Sequence, residues 1–324
     1  NEIDLAADGE IIAPALSYLI DAVEATEILA TVGDAIDFIN NILAGQIDER
    51  LFEARIIYNA TQKILDAVDE LLDLSVLKAF DDALVSYVDE LAGDMVDLST
   101  YSGESLFRDA HLLVDKVIRD LVDQDLIESG LDLFNKYFVE GGDKAPVEIP
   151  YSARYSIGQA IQDLFTAEAL ANTEVKQSLV NYLANMFDAD FSDADVTLID
   201  LAADGKLLNK AVIAFIEALQ ATNVLNTDKD VITQINNFLG HTNGVLISNE
   251  LIYGDGTPAA INLIVDGINH ILDTTLVAQL IKPAYNIIVE NTPTELMYLY
   301  DSNYDSDKLV EDVKSIFGVV RVVA

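Results

Sequence analysis

Apolar residues recur every three to four positions along most of this chain, which is the spacing of one face of an α-helix. A loose pattern, two aliphatic residues three apart followed by an apolar pair, occurs six times, and consecutive copies begin 48, 50, 43, 55 and 52 residues apart. The pattern predicts an all-α fold, an irregular array of about six helix-turn-helix units of roughly fifty residues. A compact multi-helix bundle is the alternative. The copies begin at Ile20, Val68, Ile118, Ile161, Ile216 and Ile268.

The string IDLAADG occurs twice, at 3–9 and at 199–205, and the similarity continues to residues 29 and 225. This match indicates an internal duplication that marks the start of units one and five. We expect the Asp-Gly pair of each copy to form a tight turn, because glycine accepts unusual backbone angles. The segments 11–23 and 207–219 are apolar on nearly every face, which predicts helices buried on all sides between neighbours, or helices that line a cavity.

A loop rich in glycine and proline, 140–150, is the predicted joint between two halves. Residues 1–144 would carry units one to three, and 145–324 units four to six with a C-terminal extension; one continuous domain is the alternative. The unit length is similar to that of HEAT and armadillo repeats, whose sequence signatures are absent. The final stretch, FGVVRVVA at 317–324, reads as a strand. Predicted N-caps are Asp34, Asp81, Thr173 and Asp228.

The chain is 51% hydrophobic, with a mean hydropathy of +0.26, yet it has 56 acidic and 18 basic residues and a net charge of −38. Amphipathic helices with wide apolar faces reconcile the two properties. Nucleic acid is excluded as a partner because binding requires cations against phosphates. No apolar run is long enough to span a membrane. Protein partners, other copies of the chain, cations and an apolar small molecule remain.

The chain has no cysteine, which excludes disulfides, zinc–thiolate sites and thiol catalysis. A large, acidic, cysteine-free chain favours a secreted or cell-surface protein. The serine-hydrolase elbow, the P-loop and the dinucleotide-binding glycine motif are also absent, which favours a non-enzymatic role. No catalytic residue and no organic cofactor is predicted.

Calcium is the cofactor for which the sequence offers a candidate. In the segment 301–312, oxygen-bearing side chains occupy positions one, three, five, seven and twelve of a possible calcium loop. The copies of IDLAADG lack ligands at two of the required positions, where both carry alanine. The candidate ligands are Asp301, Asn303, Asp305, Asp307 and Asp312. A looser acidic cluster comprises Asp188, Asp190, Asp193 and Asp195.

The three histidines, His111, His241 and His270, occupy different places in three units and are interpreted as core or surface residues rather than metal ligands. The leading functional hypothesis is therefore an acidic helical-repeat module that is structural and self-assembling or binds a protein partner. A carrier of a lipid or other apolar ligand, held between helices, is the first alternative. A calcium-dependent surface module is the second.

Overall fold

The computed structural model describes residues 3–26, 53–138 except 94 and 99, 145–187, 190–222, 259–290 and 308–323. Helices are the sole regular structure in these residues, so the prediction of an all-α fold is confirmed for them. In chain order the α-helices are α1 (Leu5–Ala25), α2 (Ala54–Leu72), α3 (Ser75–Lys78), α4 (Asp81–Ala92), α5 (Gly103–Leu112), α6 (Arg119–Leu121), α7 (Gln124–Phe138), α8 (Tyr151–Leu164), α9 (Glu168–Ala171), α10 (Thr173–Phe187), α11 (Leu201–Ala221), α12 (Ala259–Leu272), α13 (Thr275–Glu290) and α14 (Leu309–Val323).

A π-helical stretch, Leu113–Ile118, joins α5 to α6, and a 3-10 turn, Val196–Leu198, precedes α11. Successive long helices of the described residues contact one another: α1 contacts α2, α2 contacts α5 and the π-helical stretch, that stretch contacts α8, α8 contacts α11, α11 contacts α12, and α12 contacts α14. We call this succession of contacts the row. Small buried residues such as Ala15 and Ala67 allow close approach of neighbouring helices.

The IDLAADG string does not form a turn in either copy, so the prediction of an Asp-Gly turn is wrong. In both copies the string enters a helix directly. Asp4 caps α1 by accepting bonds from two backbone N–H groups, and Asp200 caps α11 by accepting one. Gly9 and Gly205 lie inside the helices, and of the described glycines Gly93 alone has a positive φ. Capping by the first aspartate of the string explains the helical start.

The predicted strand at 317–324 is also wrong, because α14 runs through it to Val323. Contacts with α12 and with the residue that follows it stabilise this helix: Arg321 pairs with Asp266, and Lys314 pairs with Asp273. These tertiary contacts outweigh the preference of β-branched residues for strands.

The predicted N-caps at Asp81 and Thr173 are displaced by one residue, because both are the first residues of their helices. Asn172 caps α10 by accepting bonds from the N–H groups of Glu174 and Val175. Asp34 and Asp228 lie outside the described residues. The division at 144/145 stays a prediction.

Candidate functional site

The first copy of the repeated string fixes α1 against the start of α3. The Asp8 side chain is 3% exposed and accepts bonds from the backbone N–H groups of Ser75 (2.6 Å) and Val76 (3.3 Å). In return the Ser75 hydroxyl accepts a bond from the N–H of Asp4 (2.7 Å). A carboxylate at a helix start satisfies N–H groups that have no partner within the helix. Asp8 therefore ties two helices together.

The second copy repeats this arrangement at the start of α13. Asp204 is fully buried and accepts bonds from the N–H groups of Thr275 (2.6 Å) and Leu276 (2.9 Å) and from the Thr275 hydroxyl (2.9 Å). The Thr275 hydroxyl also accepts a bond from the N–H of Asp200 (2.7 Å). The duplicated string thus has the same structural role in both places.

A third aspartate acts in the same way, although no copy of the string surrounds it. Asp109 accepts bonds from the N–H groups of Glu168 (2.6 Å) and Ala169 (2.9 Å) at the start of α9, and from the Tyr101 hydroxyl. Burial, together with this bond to the carboxylate, raises the pKa of the Tyr101 phenol. Sequence reasoning missed all three bridges. The sequence signal for these bridges was the apolar pair that ends the sixfold pattern, because each of the three helices capped in this way contains such a pair.

α11 is covered on two sides, by α8 and by α12. Gly205 lies so close to α8 that an added Cβ atom would be 2.8 Å from the Cβ of Phe165 and 3.0 Å from the backbone oxygen of Gln162. Asn209 donates to the Gln162 side chain (3.2 Å) one turn further along. The glycine of the string is therefore a close-packing position in α11.

α1 packs against α2 and α3. In α11 the side that carries the glycine of the string faces α8, whereas no helix of the described residues covers the same side of α1. An added Cβ atom at Gly9 would meet nothing within 4 Å. Leu5 is 75% exposed, whereas its counterpart Leu201 is 7% exposed. The expectation that 11–23 is buried on all sides is thus wrong. We call the exposed stripe the open face of α1; it consists of Leu5, Ile12, Leu16, Leu19, Ile20 and Val23.

The open face of α1 follows helical spacing, so its six side chains form one continuous apolar stripe. Contiguous exposed apolar surface in a soluble protein marks an interaction site more often than scattered apolar residues do. At the other end of the row, α14 exposes two further apolar side chains, Ile316 (63%) and Val319 (61%).

A cavity of about 310 Å³ lies between α4 and α10. Its walls include Asp89, Asp97, Ser178 and Asn181, and Asp89 also accepts a bond from the N–H of Leu98 (2.7 Å). These polar walls suit water or a polar ligand rather than a lipid.

The predicted calcium ligands are not brought together in the described residues. Asp301, Asn303, Asp305 and Asp307 lie outside them, and Asp312 lies in the first turn of α14. The calcium site stays a prediction.

Two aspartates of the looser acidic cluster bind within their own loop. Asp190 accepts from the N–H of Ser192, and Asp195 accepts from Thr197. These hydrogen bonds lower the pKa of both carboxyl groups. Asp188 lies outside the described residues.

The histidines have different surroundings. His111 contacts a carboxylate of α2, His270 lies on α12, and His241 is outside the described residues.

Among the described helices, none combines the length and the hydrophobicity needed to cross a membrane. The chain matches no protein-family model, and no curated protein and no solved structure is significantly similar to it.

Proposed function

We propose that this protein is a non-enzymatic, acidic helical-repeat module, secreted or at the cell surface, that assembles with other copies of itself. The observation that carries the proposal is the open face of α1, whose counterpart in α11 is covered by a helix of the same chain. We further propose that the row of helices is an array of about six units, because Asp8, Asp109 and Asp204 make equivalent bridges in successive parts of it.

The occupant that fits the open face is α14 of a second copy. The helix lies at the opposite end of the row from α1 and exposes Ile316 and Val319. Contact between opposite ends is heterologous, so it would build rings or filaments rather than closed dimers. Burial of these apolar side chains favours association, at about 25 cal/mol per Å².

The net charge of −38 opposes this association, because every copy repels the next. At 0.1 M salt the repulsion between exposed charges more than about 10 Å apart is largely screened, and protonation of carboxylates removes the negative charge itself. Association should therefore strengthen with salt and as the pH falls towards the pI of about 4.1. Sedimentation velocity across concentration, salt and pH measures it, and a monomer under every condition contradicts the proposal.

Single substitutions locate the surface. Leu16→Asp and Ile316→Asp should each weaken association, whereas Leu91→Asp, a 68% exposed control on α4, should not. If Leu16→Asp acts and Ile316→Asp does not, the partner surface is not α14. If Leu16→Asp instead destabilises the isolated monomer, another part of the same chain covers the open face.

The carrier and the calcium-dependent module stay predictions. The cavity described above has polar walls, and most of the calcium candidate lies outside the described residues.

A further inference from the structure

His111 lies between carboxylates at the contact of α2 with α5. Its Nδ1 atom is 2.6 Å from Oδ1 of Asp69, and its Nε2 atom is 3.6 Å from Oδ1 of Asp73. Asp115, one turn further along the same helical segment, completes a group with His111 and Asp69 in which one ligand atom from each lies within 4.8 Å of the others. The His111 side chain is 27% exposed, so solvent reaches the group.

At the other end of the row, the place in the fold that corresponds to His111 is occupied by a lysine side chain. Asp73 and Asp273 both follow a long helix and precede a helix capped by a bridging aspartate. Against Asp273 lies Lys314 of α14, which also contacts Glu311 (3.6 Å). The hydrogen bond to Asp273 raises the pKa of the Lys314 ammonium group.

A second pair of ionic contacts supports the correspondence between the two ends of the row. Arg119 contacts Asp66 of α2 (2.9 Å), as Arg321 contacts Asp266 of α12. Arg119 follows His111 by eight positions, whereas Arg321 follows Lys314 by seven. The π-helical stretch between His111 and Arg119 accommodates the extra residue, because a π-turn holds one residue more than an α-turn. His111 therefore occupies the place of a lysine.

The surrounding carboxylates are unequally paired. Asp66 contacts Arg119 and Lys63, and Asp73 contacts Lys78 (2.6 Å). Asp115 has a longer contact with Arg119 (3.3 Å).

Asp69, within the described part of the chain, is paired with His111 and with no lysine or arginine. Asp69 thus has no such contact, and the single contact of Asp115 is longer than that of Asp73; Asp69 and Asp115 are the two carboxylates that share the group with His111.

We propose that Asp69, His111 and Asp115 bind a divalent transition-metal ion of the zinc class. One imidazole nitrogen and two carboxylate oxygens are ligands that Zn²⁺ accepts, and the absence of thiolates disfavours softer ions. The exposed side of the group leaves room for water in the remaining coordination position. The ion would supply the positive charge that Lys314 supplies at the equivalent place, and it would link α2 to α5.

The test is calorimetric titration of the full chain, freed of metal with EDTA, with Zn²⁺ alone. One site per chain is expected, with a higher melting temperature in the presence of Zn²⁺. Asp69→Asn and His111→Gln should each lower the affinity at least tenfold. Asp273→Asn, at the counterpart of Asp73, and His270→Gln, at another histidine, should leave it unchanged.

His111→Lys separates metal binding from folding, because lysine is the residue at the equivalent place. This variant should keep the helical circular dichroism of the metal-free protein and lose the Zn²⁺ site. Failure of the wild-type chain to bind Zn²⁺, or an affinity that His111→Gln does not change, would overturn the proposal. In either case His111 and its carboxylates are a structural ion pair only.

Discussion

Replacing Gly9 and Gly205 with alanine, one at a time, should change stability in opposite directions. Both glycines are the seventh residue of IDLAADG, and both lie inside a helix, at the same position relative to its start. Alanine in a helix interior is favoured over glycine by about 1 kcal/mol, so each substitution gains that amount from the backbone. What differs is the space that the new methyl group enters.

At Gly9 the methyl group meets nothing within 4 Å, so Gly9→Ala should raise the free energy of unfolding by about 0.5–1 kcal/mol. At Gly205 it lies 2.8 Å from Phe165 Cβ and 3.0 Å from a backbone oxygen, and neither neighbour is a flexible side-chain end. α8 and α11 must separate, and overpacking of this kind costs about 1–3 kcal/mol. After the gain from alanine, Gly205→Ala should be net destabilising, by up to about 2 kcal/mol.

Urea unfolding followed by far-UV circular dichroism measures both variants, at low protein concentration so that association does not contribute. A change in midpoint at constant slope reports stability itself. Destabilisation of equal size by both substitutions would refute the reasoning, because it would mean that α1 is packed as closely at Gly9 as α11 is at Gly205. The open face of α1 would then be covered.

Three further predictions concern the carboxylates. Asp204→Asn should destabilise the protein by about 2–4 kcal/mol, because a buried amide cannot accept all three bonds; Asp21→Asn, an exposed control on α1, should change urea stability by less than about 0.5 kcal/mol. Burial, with nearby Asp163 and Asp123, raises the pKa of Asp120, so ionisation of this carboxyl destabilises the fold increasingly above the ordinary pKa of 3.8 and fully above the raised pKa. Asp120→Asn should therefore raise the melting temperature at neutral pH and lose this effect below the ordinary pKa of 3.8; the same gain at both pH values would contradict the assignment. Light scattering should rise between pH 7 and pH 4, and constant scattering would contradict charge-limited association.

The helical class of this fold could be predicted because the spacing of apolar residues reports one helix face at a time. The role of IDLAADG could not, since it depends on a residue some seventy positions away. From the sequence alone Asp8 and Asp204 are interpreted as turn residues, because their hydrogen bonds from Ser75 and Thr275 form only in the folded chain. The bridge at Asp109 has no repeated string around it and becomes visible only when α9 is positioned.

The metal-binding candidate illustrates the same limit. The sequence favours His111 as a core or surface residue, because the three histidines occupy different places in three units and a metal site would need carboxylates brought to them by folding. Asp69 comes from another helix, α2, and meets His111 only where α2 contacts α5. Sequence spacing describes contacts within one helix, whereas contacts between helices depend on register.

The two copies of IDLAADG show how similar sequences acquire different roles from their neighbours. α11 has helices on both sides, so its apolar residues contribute to the core, and its glycine permits close contact with α8. α1 has the same cap, the same buried aspartate and the same glycine, but its outer side is uncovered in the described residues. Within the described residues, the same sequence therefore contributes to the core in α11 and leaves an exposed apolar stripe in α1.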